Sequence, residues 1–310
     1  MATREIKWAD HEEWLEIRSK YIGGSDAGAV VGMNPYKSAY TLWAEKTGRI
    51  EGFKGNLTTE VGAYLEEFVA KLFERDCNKK VRRKNSTIVN DAFPFACANV
   101  DRMIVGEKAL LEIKTTNSIP IMKAIRNSSE FPEAYYCQVM HYLAVTGLDK
   151  AYLAVLVNCR DVYYYTLERD EAEIKSLMDA EREFWSHVEN DTAPSTDGSE
   201  STSDTLGQLY PNADGTSVSL IGHGSFVSEY VALKAQIKEL TKLADERANI
   251  IKEFMGSASK GELPGFKVSY GEQSRKSFDT KRFAADHGNM DLSSYYKTST
   301  TRVFKVTETK

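Results

Sequence analysis

Apolar residues recur every three or four positions in several stretches of this chain, which is the spacing of an amphipathic helix. In 58–76 the residues on one predicted helical face are Val61, Leu65, Phe68, Val69 and Leu72. The same spacing predicts helices at 10–21, 38–47, 118–127, 133–146 and 170–189, and a short helix that ends at Val31. Ser25 or Asp26 is a suitable cap for the short helix, because its side-chain oxygen can accept from free amides at a helix start.

Segments rich in β-branched and aromatic residues lie between the predicted helices, and this composition is typical of strands. Three predicted strands are 86–90, 95–105 and 109–116, and the run AYLAVLVNCRDVYYYTL at 151–167 supplies two more. Strands mixed with helices predict an α/β (α+β) fold for this part of the chain, with a mixed sheet flanked by helices.

The composition changes at about residue 190, where Ser, Thr, Asp, Gly and Pro replace apolar residues. Such a segment lacks the apolar surface that a core requires, and we interpret 191–217 as a linker or an exposed loop. This boundary divides the chain into a large unit at 1–190 and a small C-terminal unit at 218–310.

The C-terminal unit begins with a long helix whose apolar residues alternate in steps of three and four. They are Tyr230, Leu233, Ile237, Leu240, Ala244, Ile251 and Phe254, and Arg247 interrupts the series. The pattern is typical of a coiled-coil or helical-hairpin seam of about three heptads, or of an amphipathic helix packed on its own domain; the shortness favours the second. Predicted strands at 265–272 and 301–308, with a helix at 280–287, complete a small α/β appendage without a catalytic motif.

The composition, with 42% apolar and 27% charged residues, is ordinary for a soluble globular protein. No apolar run approaches the roughly 20 residues of a membrane helix. The charged N-terminus lacks the apolar region of a signal peptide, so we expect a cytoplasmic protein. The net charge of −5 argues against indiscriminate coating of nucleic acid. It does not exclude a DNA enzyme, because carboxylates that bind metal add to the negative total.

The four cysteines are widely spaced and include no CxxC pair. In a cytosolic chain such cysteines are usually reduced and are often buried as small apolar residues. Their spacing gives little support to a metal or iron–sulphur site.

The segment 99–114 carries the most informative chemistry. Asp101 lies near the middle of one predicted strand, and Glu112 and Lys114 lie on the next. Because strand side chains alternate between faces, Glu112 and Lys114 share a face and Ile113 takes the opposite, buried one. Pairing of the two strands would bring Asp101 to the shared face. Two adjacent carboxylates suit Mg²⁺ or Mn²⁺, and a lysine beside them can orient or help deprotonate a metal-bound water.

A surface hairpin with an ordinary Glu–Lys pair is the alternative, because a D…ExK string often arises by chance. Glu66, on the helix before the hairpin, offers a further carboxylate but also suits a solvated helix face. Gln138 lies in an apolar helical face, where a buried amide needs hydrogen-bond partners, and this favours a role facing the site. We interpret His141, on the same helix, as a histidine with satisfied partners rather than a metal ligand.

Several short motifs follow one another along 10–185. They are Arg18, Gly-Gly-Ser25-Asp26, Gly32-Met-Asn34-Pro35-Tyr36, Leu42-Trp43, Lys46-Thr-Gly48, Gly62 with Glu66, Asp101, Glu112-Ile-Lys114 and Gln138. This order resembles the YqaJ-type viral recombinase family, which is related to lambda exonuclease and to the PD-(D/E)xK nuclease superfamily. The resemblance implies a restriction-endonuclease-like fold. The PD dipeptide is absent, since Val100 precedes Asp101.

By this resemblance, Asp101 and Glu112 would bind the catalytic metal with help from the Ile113 carbonyl. Lys114 would position the water that attacks the phosphate. Glu66 would reach a second metal, or the metal through a water. The implied cofactor is Mg²⁺, for which Mn²⁺ could substitute.

The resemblance also assigns roles outside the carboxylate pair. Gln138 would steady the site. Arg18 and Ser25, seven residues apart as in lambda exonuclease, would hold the 5′-phosphate of the strand being degraded. Without the resemblance these two are a surface arginine and a helix cap. A cap is compatible with phosphate binding, because both use the positive end of a helix.

The function implied is 5′→3′ digestion of one strand of linear double-stranded DNA, which generates 3′ overhangs for a single-strand annealing partner in phage-type recombination. Relatives of this kind form toroidal trimers, so a homo-oligomer is expected. The alternatives are another PD-(D/E)xK nuclease, either an endonuclease or an iron–sulphur enzyme, and a non-catalytic DNA-binding recombination protein. The intact Asp101, Glu112 and Lys114 set argues against the last.

Overall fold

The computed structural model describes residues 2–288 and 290–307. The chain forms two compact units: the first ends at Tyr210 and the second begins at Pro211. Among the described residues, no helix combines the length and the apolar character that a membrane span requires.

Eight helices in the described part of the first unit include all those predicted up to residue 190. They are α1 His11–Ser19, α2 Gly24–Val30, α3 Ala39–Lys46, α4 Leu57–Cys77, α5 Ile119–Ser128, α6 Glu133–Thr146, α7 Glu171–Glu189 and α8 Glu200–Leu209. Local chemistry sets their ends. The Ser38 side chain caps α3 by accepting from the Thr41 amide at 3.0 Å, and Gly147 ends α6 in the left-handed conformation, at φ 69°.

The strands of this unit form two mixed sheets. They are β1 Thr3–Ile6, β2 Ile22–Gly23, β3 Val81–Arg83, β4 Thr87–Asn90, β5 Phe93–Ala98, β6 Arg102–Ile104, β7 Ala109–Thr116, β8 Lys150–Val157 and β9 Asp161–Glu168. One sheet has the order β3-β6-β7-β8-β9, with β7 and β8 parallel and the other neighbours antiparallel. The other has the order β1-β4-β5-β2, with β2 and β5 parallel. Mixed sheets flanked by helices confirm the predicted fold class, although β1, β2 and β3 were not predicted.

The predicted strand 95–105 is wrong in one respect, because it is two strands in different sheets. β5 ends at Ala98 in the four-stranded sheet, and β6 begins at Arg102 in the five-stranded sheet. Asp101 therefore lies in a bend before β6 and not in the middle of a strand. Its side chain is the cause: Asp101 Oδ2 accepts the Ile113 amide at 2.8 Å, so a carboxylate takes the place of a backbone partner.

The face of the five-stranded sheet that packs on α4 is apolar. Its buried cluster includes Val69, Phe73, Leu111 and Ile113, so the prediction that Ile113 is buried is confirmed. The predicted inward face of α4 is partly wrong, because Val61 and Phe68 are 43% and 52% exposed. Both lie roughly 80–100° around the helix from Val69, outside the stripe that faces the sheet.

α8 lies inside the segment 191–217 that the composition assigned to a linker. Its contacts with α3 include a set of hydroxyl hydrogen bonds. Thr202 Oγ1 donates to Ser38 Oγ at 2.8 Å, and the Thr205 and Thr41 hydroxyls are 2.8 Å apart. Thr202 and Thr205 are both buried. The first compact unit extends to Tyr210 for this reason.

The second unit contains α9 Gly224–Met255, an antiparallel hairpin of β10 Lys260–Leu263 and β11 Phe266–Ser269, and α10 Thr280–Asp286. β11 and α10 confirm the strand predicted at 265–272 and the helix predicted at 280–287. The strand predicted at 301–308 is wrong over 301–307, where no neighbouring segment of the described chain pairs with it; Glu308 lies outside the described residues.

α9 is helical as predicted, and one residue of its apolar seam packs within its own unit, where the ring of Tyr230 lies 5.4 Å from that of Phe304. None of its 32 residues is buried within the described structure. Much of the apolar seam is exposed, with Leu240 at 64% exposure and Phe254 at 92%.

Candidate active site

Asp101 and Glu112 come together where β6 pairs with β7. The bend before β6 lies beside β7, and the Ile113 amide donates to Asp101 Oδ2 at 2.8 Å. Glu112, on the same strand, is 2% exposed. The structure thus brings two carboxylates together beside the middle of β7, a central strand of the five-stranded sheet.

The two oxygens of Glu112 have different surroundings. Oε1 lies 2.7 Å from Lys114 Nζ and accepts from Gln138 Nε2 at 2.7 Å. Oε2 is buried and accepts no hydrogen bond from the described residues. A buried carboxylate oxygen without a partner is costly, and it leaves this site one positive or hydrogen-donating group short.

The electrostatics of the site favour added positive charge. Burial, followed by the charges of Glu112 and Glu66, raises the pKa of Asp101 well above its usual value. Burial likewise raises the pKa of Glu112, although Lys114 opposes it. For Lys114, burial lowers the pKa, but the charges of Glu112 and Asp101 outweigh it and the net pKa is raised. Lys114 is therefore held as a cation.

Glu66 lies near the pair but is already engaged. Its charge raises the pKa of Asp101 and of Glu112. Its Oε1 accepts a hydrogen bond from Arg102, whose guanidinium is buried and also donates to the Asp101 backbone carbonyl at 2.6 Å. The pairing of Arg102 with Glu66 was not predicted, because no local sequence pattern identifies the partner of an arginine inside a short strand.

α6 supplies the layer behind Glu112. Gln138 Nε2 donates to Glu112 Oε1 and also to Tyr142 Oη, at 3.1 Å. Tyr142 was not singled out from the sequence, although it lies one helical turn after Gln138 and so on the same face. Tyr135, also on α6, places its ring 5.5 Å from Lys114 Nζ. Lys114 is thus held from two sides, by a carboxylate and by an aromatic ring.

Gly24 allows α2 to approach this layer closely. A Cβ at Gly24 would lie only 2.4 Å from the ring of Tyr142, so no larger residue fits without displacement. Burial, Glu112 and Asp101 raise the pKa of Tyr142, while Arg18 lowers it. The tyrosine therefore lies between the carboxylate pair and the segment that carries Arg18.

Arg18 and Ser25 lie together at the start of α2. The Arg18 guanidinium donates a hydrogen bond to Ser25 Oγ, and it also lies over the ring of Trp14, 5.2 Å from the centroid. The predicted cap differs: Gly23 is the N-cap residue, and Asp26 Oδ2 accepts the Gly23 amide at 3.1 Å. Ser25 is free of the capping role because the carboxylate of Asp26 performs it.

A buried ion pair stabilises the backbone near Arg18. Lys46 Nζ lies 2.9 Å from Asp26 Oδ2, and it donates to the backbone carbonyls of Arg18 at 3.1 Å and of Tyr21 at 2.6 Å. Burial alone would raise the pKa of Asp26, but Lys46 and Arg18 lower it to about 2. The sequence motif contained Lys46 but did not show this partnership, since Asp26 lies on a different helix.

His141 is buried with both ring nitrogens satisfied, which confirms the interpretation of it as a structural histidine. Nδ1 lies 2.8 Å from Glu181 Oε1, and Nε2 lies 2.9 Å from the Cys97 carbonyl. Neither side chain is exposed. His141 therefore joins α6, α7 and β5, and does not face Asp101 and Glu112.

The donors at Asp101 and Glu112 fit a small divalent cation. Both are hard carboxylate ligands, Glu112 Oε2 has no partner in the described structure, and burial raises the pKa of both groups. No group of three or more His, Cys, Asp or Glu within the described residues is arranged to hold a metal ion. Mg²⁺ commonly uses one or two carboxylates and keeps several waters, so a two-carboxylate site matches its chemistry.

Comparisons with known proteins show the family to which the chain belongs. Residues 13–149, which include every predicted site residue, match the family described as the YqaJ-like viral recombinase domain. The chain is 37% identical to the uncharacterized protein YqaJ of Bacillus subtilis over 277 residues, which cover 87% of this chain and 86% of that protein. A shorter stretch of 73 residues is 38% identical to protein D345L of African swine fever virus and covers 23% of this chain and 20% of that protein.

Among solved structures, the alkaline exonuclease LHK-Exo of Laribacter hongkongensis is similar in fold. The TM-score is 0.51 at 20% sequence identity, and the match covers 58% of this chain and 94% of that chain. The same enzyme in complex with dAMP matches at a TM-score of 0.51 and 19% identity. The likeness confirms a restriction-endonuclease-like fold for the matched part of the chain.

Proposed function

Since this chain belongs to the family of YqaJ-like viral recombinase domains, we propose that it is a metal-dependent exonuclease that digests linear double-stranded DNA. The observation that supports this most directly is the buried pair of Asp101 and Glu112, with Lys114 Nζ 2.7 Å from Glu112 Oε1. The alkaline exonuclease of similar fold supports the choice of reaction. The reaction is hydrolysis of a phosphodiester bond by water.

Asp101, Glu112 and the carbonyl of Ile113 would hold a Mg²⁺ or Mn²⁺ ion. A bound ion of this kind lowers the pKa of a water and offsets negative charge on the phosphate. The unpartnered Glu112 Oε2 is the oxygen that such an ion would engage. Glu66 would serve a second ion or a water, for which it would have to leave Arg102.

Lys114 would orient the attacking water. Its ammonium is fixed between Glu112 Oε1 and the ring of Tyr135. A fixed ammonium can hold a water or a non-bridging phosphate oxygen by charge-assisted hydrogen bonds. In the metal-free site the charges of Glu112 and Asp101 raise the pKa of Lys114, so its ammonium is a hydrogen-bond donor there.

Gln138 and Tyr142 would keep the site in one arrangement. Gln138 Nε2 donates to both Glu112 Oε1 and the Tyr142 hydroxyl, and these two bonds would hold the Glu112 side chain in place. Such an outer layer maintains the orientation of metal ligands in many enzymes. Gln138 thus steadies the site without touching the phosphate.

Arg18 and Ser25 would bind the 5′-phosphate at the end of the degraded strand. A guanidinium can grip a terminal phosphate with two parallel hydrogen bonds, and the serine hydroxyl can donate a third. The amides at the start of α2 add positive potential. A terminal phosphate carries more negative charge than an internal diester, so this pocket would select strand ends and direct digestion 5′→3′.

The biological role that follows is the production of 3′ single-stranded overhangs for phage-type homologous recombination. The partners would be double-stranded DNA ends and a single-strand annealing protein in the cytoplasm of a bacterial host. Enclosure of the duplex by a ring of copies would explain processive digestion, and we propose a homotrimer for that reason.

A time course on linear duplex DNA, labelled at either the 5′ or the 3′ end, tests the proposal. With Mg²⁺ we expect the 5′ label to be released first as small products, while the 3′ label stays on long strands. Closed circular duplex, the matched control, should stay intact. Early release of the 3′ label would reverse the polarity, and cutting of circles would indicate an endonuclease. DNA binding without digestion under any divalent metal would indicate a non-catalytic protein.

A further inference from the structure

Arg102 is a buried arginine next to Asp101, and its guanidinium contacts three oxygen atoms. Nη1 donates to Glu66 Oε1 and, at 2.6 Å, to the backbone carbonyl of Asp101, and Nη2 donates to Glu67 Oε2 at 3.1 Å. Only 4% of the side chain is exposed. A buried charge is costly unless it is paired and hydrogen-bonded, so these contacts keep the guanidinium in place. They join α4, which carries the two glutamates, to the bend that carries Asp101.

The two glutamates of α4 differ in how far they depend on Arg102. Glu67 Oε2 also accepts from Arg83 at 2.8 Å, and Arg83 is the main cause of the lowered pKa of Glu67. Among the described residues, by contrast, Arg102 is the one cation that pairs with Glu66. Removal of Arg102 would therefore leave Glu67 with a cationic partner and Glu66 without one.

Glu66 lies close to the pair of Asp101 and Glu112 but is not arranged with it as a set of ligands. Its charge raises the pKa of both carboxyl groups. Within the part of the chain that the structure describes, however, no three His, Cys, Asp or Glu side chains are placed to hold a metal ion together. The contact with Arg102 accounts for this difference, because it directs Glu66 Oε1 to the guanidinium.

We propose that Arg102 is a positioning residue, which holds Glu66 beside the carboxylate pair in the metal-free protein and yields it when a divalent ion binds there. This role rests on the proposed function, since it requires an ion at Asp101 and Glu112. The exchange leaves no buried charge unpaired. Arg102 keeps the Asp101 carbonyl and Glu67 as acceptors, while Glu66 gains the ion as its partner.

The contact between Arg102 and Glu66 has opposite effects on the two states. In the metal-free state it offsets the charge of a third carboxylate, which would otherwise add to the repulsion between Asp101 and Glu112. In the metal-bound state the contact is lost, so its strength is subtracted from the affinity for the ion. A charge-assisted hydrogen bond corresponds to roughly a tenfold to hundredfold change in an equilibrium constant. We expect the lower end of this range, because Glu66 is 31% exposed.

A double-mutant cycle on Mg²⁺ affinity tests the proposal. Calorimetric titration compares wild type, Arg102→Met, Glu66→Gln and the double variant, each as the full chain. Arg102→Met removes a positive charge and so tightens Mg²⁺ binding in any case, and the cycle subtracts that direct effect. We expect Arg102→Met to tighten binding about tenfold more in the presence of Glu66 than in the Glu66→Gln background. Equal tightening in the two backgrounds would overturn the proposal.

Two further variants provide a control and a second test. Arg83→Met removes the other cation beside Glu67, whose side chain is 59% exposed, and should change Mg²⁺ affinity by less than about twofold. Arg102→Lys keeps the charge but lacks the planar fork with which arginine contacts several acceptors. It takes the place of Arg102→Met in the cycle if that variant does not fold, and it should give a smaller excess of the same sign. The absence of any excess in folded Arg102→Lys would also overturn the proposal.

Denaturant unfolding distinguishes this role from a purely structural one. Metal-free Arg102→Met should be less stable than wild type, because Glu66 loses its partner, and Mg²⁺ should restore more stability to the variant than the same concentration adds to wild type. A loss that Mg²⁺ does not reduce would show that Arg102 only supports the fold, and would overturn the proposal. Failure of the proposed metal site has a different result: wild type would bind no Mg²⁺, or Glu112→Gln would bind it as tightly as wild type, and the role of Arg102 would fall with the site.

Discussion

Two lysine–carboxylate clusters lie in the first unit, and they differ in how completely their groups are satisfied. Lys46 faces one carboxylate, Asp26, and donates its remaining hydrogens to two backbone carbonyls. Lys114 faces two carboxylates, Asp101 and Glu112, and Glu112 Oε2 has no partner among the described residues. The first cluster is balanced, and the second has an excess of negative charge.

The pKa values of Asp26 and Asp101 are shifted in opposite directions for this reason. Burial raises the pKa of a carboxyl group in both clusters. At Asp26 the charges of Lys46 and Arg18 outweigh burial and lower the pKa to about 2. At Asp101 the charges of Glu112 and Glu66 add to burial and raise it. The Asp26 cluster is thus satisfied by its protein partners, and the unsatisfied Asp101 cluster supports our proposal that it binds a divalent cation.

The largest expected effect is on digestion by variants of the carboxylate pair. Asp101→Asn and Glu112→Gln should each reduce the rate of Mg²⁺-dependent digestion of linear duplex by about a hundredfold to a thousandfold, because each removes a carboxylate that would hold the metal ion, and the positive charge of that ion stabilises the reacting phosphate. Lys114→Met should lose activity while it keeps Mg²⁺ affinity. Glu107→Gln, at the turn before β7 and paired with Lys79, is the matched control. Wild-type rates in folded Asp101→Asn would refute the assignment.

Removal of the lysine from the balanced cluster should have a large effect on stability. Lys46→Met leaves the buried Asp26 charge unpaired, so the free energy of unfolding should fall by about 3–5 kcal/mol. Adding Asp26→Asn should recover part of the loss, because the unpaired charge is then gone. Denaturant unfolding measures both. Lys175→Met, in an exposed pair with Asp179, should cost no more than about 1 kcal/mol. A cost as small as this for Lys46→Met would show that the two clusters do not differ as described.

The next effect concerns the preference for a 5′-phosphate. Linear duplex with a 5′-phosphate should be digested about tenfold to a hundredfold faster than the same duplex with a 5′-hydroxyl, because charge-assisted hydrogen bonds of this kind contribute about 1.5–3 kcal/mol. Arg18→Ala should erase most of that preference without a change in Mg²⁺ affinity. Lys20→Ala, one residue beyond α1, serves as the control for a nearby positive charge. If Arg18→Ala kept the full preference for a 5′-phosphate, Arg18 would be an ordinary surface arginine and not part of the phosphate site.

The smallest effect is a difference in how stability depends on pH. Because the folded-state pKa of Asp101 is raised, its ionisation destabilises the metal-free protein. Stability should therefore fall as the pH rises through that pKa, and this slope should be reduced in Asp101→Asn. Asp26 has a lowered pKa, so its contribution should be lost as the pH falls from 3.8 towards about 2. Denaturant unfolding of the metal-free proteins at several pH values measures both dependences. An equal change of stability with pH in wild type and Asp101→Asn would contradict the comparison.

Features that depend on neighbouring residues were predictable from the sequence. The helices α1–α7 were all predicted, and Gly147 ends α6 directly after the predicted range 133–146. Because side chains alternate between the two faces of a strand, Ile113 in 109–116 was correctly predicted to be buried. Grouping of Asp101 with Glu112 and Lys114 required only one hairpin, whose turn at Gly106 adopts a positive φ that glycine accommodates readily.

Features that depend on distant partners were not predictable. The partnership of Lys46 with Asp26 joins two helices. α8 was not predicted, because composition rules treat threonine as a solvent-exposed residue. Thr202 and Thr205 are instead buried and form hydroxyl hydrogen bonds to α3. The break before Arg102 follows from one side-chain contact to the next strand, which no local pattern records.

Calorimetric titration of Mg²⁺ into the full chain tests the central claim most directly, because it measures the cation that the Asp101–Glu112 cluster is proposed to bind. Wild type and Glu107→Gln should bind Mg²⁺ with the same affinity, and Glu112→Gln should lose that binding while it remains folded. Unchanged Mg²⁺ affinity in folded Glu112→Gln would contradict the account.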